Sequence, residues 1–191
     1  MAEFFDSLGD KHAAMIERQP VFFVATAAGD ARINLSPKGY DCLRILSPKR
    51  VAYLDVGGSG NETNAHLLAD GRITLMFCNF QQPATILRIY GQGEPVVPWD
   101  RNWEELAPHF TLLPGTRQIF DIAVESVQTS CGWGVPIMTL EKERATLLKY
   151  HAKADPVEWA GKHRTRRTSI DGLPARPTDR YIAGDSGTIP D

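Results

Sequence analysis

From residue 21 to residue 130 the chain is a succession of short β-like runs broken by tight turns, and this pattern limits its fold more than any other feature. VFFVATA (21–27) is β-branched and aromatic, AGD makes a turn, and ARINLSP (31–37) alternates strictly between polar and apolar. LRIL (43–46), the turn SPK and RVAYLD (50–55) read as a hairpin. RITLMFCNF (72–80), the turn QQP, ATILRIYGQGEPVV (84–97) and IFDIAVESVQTS (119–130) continue the series. Short helical patterns interrupt it only at 62–70 and 103–110. Strands that do not alternate regularly with helices argue against a doubly wound parallel sheet and for an antiparallel meander. With at least six strands, closure into a small barrel removes the exposed edges. Gly91 and Gly93, inside the longest run, predict a bulge or tight bend there.

The ends read differently. Leu8, His12, Met15 and Ile16 fall near helical spacing, so a helix is expected over 6–18, closed by Pro20. Further helices are expected over 140–153 and 156–166. From residue 171 the chain is rich in Pro, Gly and Asp and reads as irregular. The expected organisation is one domain over 1–170, with an N-terminal helix in 1–20, a barrel over 21–139, C-terminal helices over 140–170 and a tail over 171–191. A hydrophobic content of 42% over 191 residues is enough for one such core.

Charge and composition remove several function classes. A net charge of −2 creates no global field for nucleic acid or anionic lipid. The basic run KHRTRR (162–167) lacks interleaved aromatics and reads as a solvated helix end. No apolar run approaches the roughly 18 residues of a membrane span, and the first residues carry acids where a secretory signal needs an apolar stretch. Cys42, Cys78 and Cys131 form no CxxC pair, which leaves no zinc or disulfide framework and points to a reducing cytoplasm.

Three segments carry candidate chemistry. In ARINLSPKG, side chains alternate across the strand, so Ile33 and Leu35 are expected in the core. Arg32, Asn34 and Ser36 then share the other face, with Lys38 at the same parity. That face is either a wet strand surface or a binding wall, and the Pro37–Gly39 frame around Lys38 favours aiming it. In TILRIYGQG, Arg88, Tyr90 and Gln92 share one face and could meet a polar heterocycle or simply water. In GGSGNETNAHLL (57–68), Ser59 and Glu62 match a capping box. The free amides of the first helical turn, with Ser59, Asn61 and Thr63, could equally bind an anion. No GxSxG or HExxH occurs, and His12, His66, His109, His151 and His163 show no ligand spacing.

Taken in order, RINLSPKG, VAYLD, GSGNETNAHL, RITLMF and LRIYGQG resemble the pyridoxamine 5′-phosphate oxidase-like FMN-binding split-barrel family over about residues 21–174. VESVQTSCGWGVP and RRTSIDGLP resemble one bacterial subgroup of it. The resemblance implies a mainly β fold, a six-stranded antiparallel split barrel with helices at both ends. It implies a homodimer with FMN in clefts at the interface. Arg32, Ser36 and Lys38 would then face the phosphate, with Arg88 as a further source of charge. The backbone of Tyr53, Leu54 and Asp55 would edge the flavin ring, and Asn61, Glu62 and Thr63 would complete the phosphate and ribityl site. Trp133 of the partner would cover the ring or pack the dimer seam. The pattern departs from the true oxidases at Thr63 and Asn64, which stand where those carry an Arg-Lys pair, and the C-terminal pyridoxal phosphate signature is missing. The activity implied is an FMN-dependent oxidoreductase acting on some other small molecule. The rival readings are a non-catalytic flavin- or haem-binding barrel, or an enzyme that uses deazaflavin.

Overall fold

The computed structural model describes residues 2–178 and 180–185. Among the described residues the strands are β1 (Glu3–Phe5), β2 (Phe22–Thr26), β3 (Asn34–Lys38), β4 (Leu43–Ser47), β5 (Arg50–Val56), β6 (Arg72–Cys78), β7 (Thr85–Val96) and β8 (Thr116–Cys131). The helices are α1 (Asp10–Glu17), α2 (Glu62–Ala69), α3 (Trp103–Leu106), α4 (Thr146–Ala152) and α5 (Pro156–Arg164). All strand pairs are antiparallel and run in the order β3-β2-β6-β7-β8-β5-β4, with β1 added to the far end of β8. The sheet therefore holds eight strands where six were expected, and it stays open, with β3 and β4 as its edges.

One face of this sheet makes the core. Val24, Leu75, Ile89 and Val127 stand in register across β2, β6, β7 and β8, and none of them is exposed. Tyr53 packs between Phe22 and Phe120, at ring-centroid distances of 5.8 and 4.9 Å. The bulge expected in β7 lies between Tyr90 and Gly91. Glycine is required there, because a Cβ on residue 91 would lie 2.2 Å from the Ala123 carbonyl oxygen.

The helices expected at the ends are shorter than their patterns. Residues 3–5 pair with β8 before α1 begins at Asp10, since an edge that needs partners overrides a weak amphipathic signal. At the other end α4 occupies only Thr146–Ala152 of the expected 140–153. Residues 171–178 and 180–185 of the expected tail hold no helix or named strand, and residues 179 and 186–191 lie outside the described residues. No helix among the described residues is long and apolar enough to cross a membrane.

Candidate functional site

The alternation expected in β3 is present, but its faces are reversed. Ile33 and Leu35 are 76% and 65% exposed, while Asn34, Ser36 and Lys38 turn inward opposite Thr26, Val24 and Phe22. The reason is the position of β3 at the sheet edge. Its inward side lies beside Val24 and Phe22 at the margin of the core. It meets α2 and the buried carboxylate of β5, polar groups that must find partners once they are out of water.

That carboxylate, Asp55, is the centre of the seam. Lys38 Nζ donates to its Oδ1 at 3.1 Å, and Arg117 Nε and Gln118 Nε2 donate to its Oδ2 at 2.6 and 2.8 Å. Burial by itself would raise the Asp55 carboxyl pKa. The charges of Arg117 and Lys38 outweigh that, with hydrogen bonds from Arg117 and Gln118, and hold it well below the ordinary carboxylate range. Arg117 Nη1 also donates to the Gly60 carbonyl at 2.6 Å. The cation of the glycine loop therefore comes from β8, two residues before the sequence suggested that strand begins. No motif marks it in GTRQIF. Lys38 Nζ further lies 5.8 Å above the Tyr53 ring.

At the start of α2 the polar side chains are committed to neighbours. Asn34 Nδ2 donates to Thr63 Oγ1 at 3.0 Å and to Thr26 Oγ1 at 3.1 Å. Asn64, fully buried, donates to Gln118 Oε1 at 2.6 Å and to the Arg176 carbonyl at 3.2 Å, and accepts from the Arg176 N–H at 2.8 Å. Asn61 donates to the same carbonyl and accepts from Gln118. The expected capping box does not form. Asn61 is the N-cap, Ser59 is exposed, and both Glu62 carboxylate oxygens accept from the Ile170 N–H at 3.1 Å. A returning C-terminal segment has taken the place of the local cap.

The remaining candidates are dispersed. Tyr53 and Leu54 are buried, and the Leu54 N–H donates to the Cys42 carbonyl at 2.7 Å. Arg32 sits just before β3, where its guanidinium and its N–H both hold the Asp171 carboxylate. Arg88 stands in register with Met76, Phe23 and Pro37, on the sheet face opposite Lys38, and donates to Ser130 Oγ at 3.3 Å. Trp133, 87% exposed, lies beyond the end of β8. One chain therefore brings Ser36, Lys38, Asp55, Asn61 and Thr63 to one seam, with Arg32 and Glu62 tied to the segment beside it. Arg88 and Trp133 stay apart from it.

A cluster missed in the sequence closes the loop end of the seam. Trp159 Nε1 donates to His151 Nδ1 at 3.0 Å, so the His151 proton sits on Nε2 and is donated to the Gly57 carbonyl at 2.7 Å. His163 Nδ1 donates to the Trp159 carbonyl at 2.9 Å, which leaves Nε2 to accept from Arg166 at 3.2 Å. The His163 ring stacks on Trp159 at 3.8 Å, and a Cβ on residue 57 would lie 2.5 Å from His163 Nε2. Gly57 is thus a close-packing glycine. Both histidines are neutral donor–acceptor links, and no group of metal-ligating side chains occurs among the described residues.

An open antiparallel sheet coiled around one core, with a polar seam between an edge strand and a glycine loop leading into a helix, defines a split-barrel protein. The chain belongs to the pyridoxamine 5′-phosphate oxidase family, whose model matches residues 8–131. It is 39% identical over 152 residues to the pyridoxamine 5′-phosphate oxidase family protein ustO of Aspergillus flavus, a match that covers 76% of this chain. The chain spans 61% of the length of that relative. Among solved structures it is similar to a variant of HupZ from Group A Streptococcus, at TM-score 0.53 and 18% identity over 64% of this chain and 98% of that one. It is also similar to a Lactobacillus delbrueckii protein named as a candidate pyridoxamine 5′-phosphate oxidase, at TM-score 0.52 and 17% identity over 64% and 94%. These two likenesses are of fold.

Proposed function

We propose that the chain is a flavin-dependent oxidoreductase of this family, with FMN as its flavin and a small molecule other than pyridoxamine phosphate as its substrate. The observation that carries the reading is at Arg32. Its guanidinium and main-chain N–H together hold a carboxylate, the arrangement a phosphate oxygen requires, on the segment where the family resemblance puts phosphate contacts. The donor set therefore fits an oxyanion. A bound flavin would supply the hydride- and electron-transfer chemistry.

The chain's own residues would hold and orient it. Arg32, Ser36 and Lys38 would grip the phosphate side, and Asn61, Glu62 and Thr63 would border it. The main chain at Tyr53, Leu54 and Asp55 would edge the ring. Asp55 would act through Lys38, holding its ammonium in place. Thr63 and Asn64 supply no charge, because both are neutral and already bonded to Asn34 and Arg176. This argues against a second phosphorylated ligand at the helix start. The three free cysteines are in keeping with a reducing compartment, the cytoplasm.

A second copy would complete the site. Arg88 stands on the sheet face opposite Lys38, the face that also carries the exposed Ile33 and Leu35, and Trp133 is exposed beyond the end of β8. Leu35→Glu should convert a dimer into a monomer in sedimentation and change monomer stability by less than about 0.5 kcal/mol. A wild-type monomer would overturn the shared site.

The purified protein should absorb as a flavoprotein and be bleached by a reduced nicotinamide under anaerobic conditions. A Soret band, or failure to take up FMN, would sink the reading. Lys38→Ala should weaken FMN by about 2 kcal/mol in a fluorescence-quenching titration, through loss of a charge-assisted contact. Unchanged affinity would remove Lys38 from the site.

A further inference from the structure

The anion seat at Arg32 is filled by the chain itself. Arg167 to Arg176 cross the start of α2, folded on themselves by the Thr168–Pro174 bridge. Asp171 accepts from the Arg32 main-chain N–H and from its Nη1, the Ile170 N–H lies on Glu62, and Asn64 pairs with the N–H and carbonyl of Arg176. The Arg176 guanidinium is anchored on Asp100 at 2.6 and 2.8 Å. Asn64 thus holds the main-chain N–H and carbonyl of Arg176, with Asn61 donating to the same carbonyl.

The electrostatics agree with the geometry. Arg32, Lys38 and Arg117 are matched by Asp171, Asp55 and Glu62, three cations against three carboxylates, so the closed seam offers a phosphate no net attraction. The crossing segment is largely exposed, with Ser169 and Ala175 as its buried residues. Ile170 is 73% exposed, and a cleft of about 470 Å³ lined by Ala28, Asp30, Ala69, Asp171 and Leu173 opens beside it. Arg32 is itself mostly exposed, so its pairing with Asp171 is an exchangeable surface contact.

We propose that Asp171 is an intrachain stand-in for the ligand phosphate, so that the segment around it holds the seat at Arg32 closed and a phosphate-bearing flavin enters by displacing it. This rests on the flavin reading above and adds a competition to it. Displacement exchanges one carboxylate for a dianion on the same two donors and frees Asp171 to water. The segment stays tethered through Arg176 and Asp100 and can return when the ligand leaves.

FMN and riboflavin differ by the phosphate alone, so comparing them isolates this contact. In quenching titrations Asp171→Asn should tighten FMN about three- to fivefold, the range of an exposed ion pair, with riboflavin unchanged. Arg32→Ala in the Asp171→Asn background should cancel that gain. In hydrogen exchange on the wild-type chain, the amides of Ile170 and Arg176 should lose protection with FMN and keep it with riboflavin. If FMN binds wild type and Asp171→Asn equally, or Ile170 gains protection with FMN, the stand-in is refuted while flavin binding survives. If neither flavin binds any variant, the flavin reading falls and takes the stand-in with it.

Discussion

Arg117→Met should cost about 3–5 kcal/mol of stability, seen as a lower urea midpoint at unchanged slope. Arg117 is 7% exposed and makes the shortest contact to Asp55, whose side chain is 3% exposed. Removing the guanidinium leaves a buried carboxylate with only Lys38 and Gln118 as donors, and leaves the Gly60 carbonyl without the Arg117 donor. Breaking one side of a buried pair is far more harmful than replacing the whole pair by apolar groups of similar volume. The triple variant Asp55→Leu, Arg117→Met, Lys38→Met should therefore recover most of the loss while weakening FMN at least as much as Lys38→Ala. A single variant that loses less than about 1 kcal/mol would show that Asp55 escapes to water or takes up a proton.

Acid should undock the C-terminal helices from the glycine loop before it unfolds the barrel. Burial, with Arg166, Arg117 and His151 nearby, pushes His163 down to about 4 from its ordinary 6.5, against an opposing hydrogen bond to the Trp159 carbonyl. Its Nε2 must stay unprotonated to accept from Arg166. His151 is lowered as well, chiefly by burial, and its Nδ1 must accept from Trp159. The sign follows from linkage. The undocked state binds a proton near pH 6.5 and the docked state only near 4, so docking is fully favoured above 6.5 and weakens as pH falls from 6.5 to 4. The loss from His163 reaches about 3 kcal/mol at the acid end. Asp55 acts in a separate window, since a depressed carboxyl withdraws its stabilisation only at lower pH. Trp159 fluorescence should therefore change between pH 6.5 and 4 while the far-UV signal of the sheet holds, and His163→Gln should flatten that change. Coincident transitions would mean that the helices and the barrel form one unit.

Fold was more legible than site. The strand runs and the bulge at Gly91 are marked by local signals, alternation, turns and glycines inside a strand, whereas the expected meander gives way to pairings of β2 with β6 and β5 with β8 that join distant strands. β3 shows where such signals stop. Its period of two was readable, yet the side facing inward was not, since apolar residues mark a core only where an apolar layer covers them. Here α2 and Asp55 cover the strand, and Ile33 and Leu35 point out. The capping box failed for a related reason. Ser59 and Glu62 had the right spacing, but Ile170, 108 residues from Glu62, provides a competing donor.

By itself the sequence determined the fold class, the family and the presence of a polar strand ending at Lys38. These depend on short-range pattern and on motifs in linear order. Only the tertiary structure decided that Arg117 supplies the charge beside the glycine loop, that Gly57 is a packing glycine under Trp159 and His163, and that Asp171 fills the seat at Arg32. Each of these is a pairing between residues 57 to 139 positions apart, and no local propensity encodes which distant group arrives to satisfy a buried charge or an open donor.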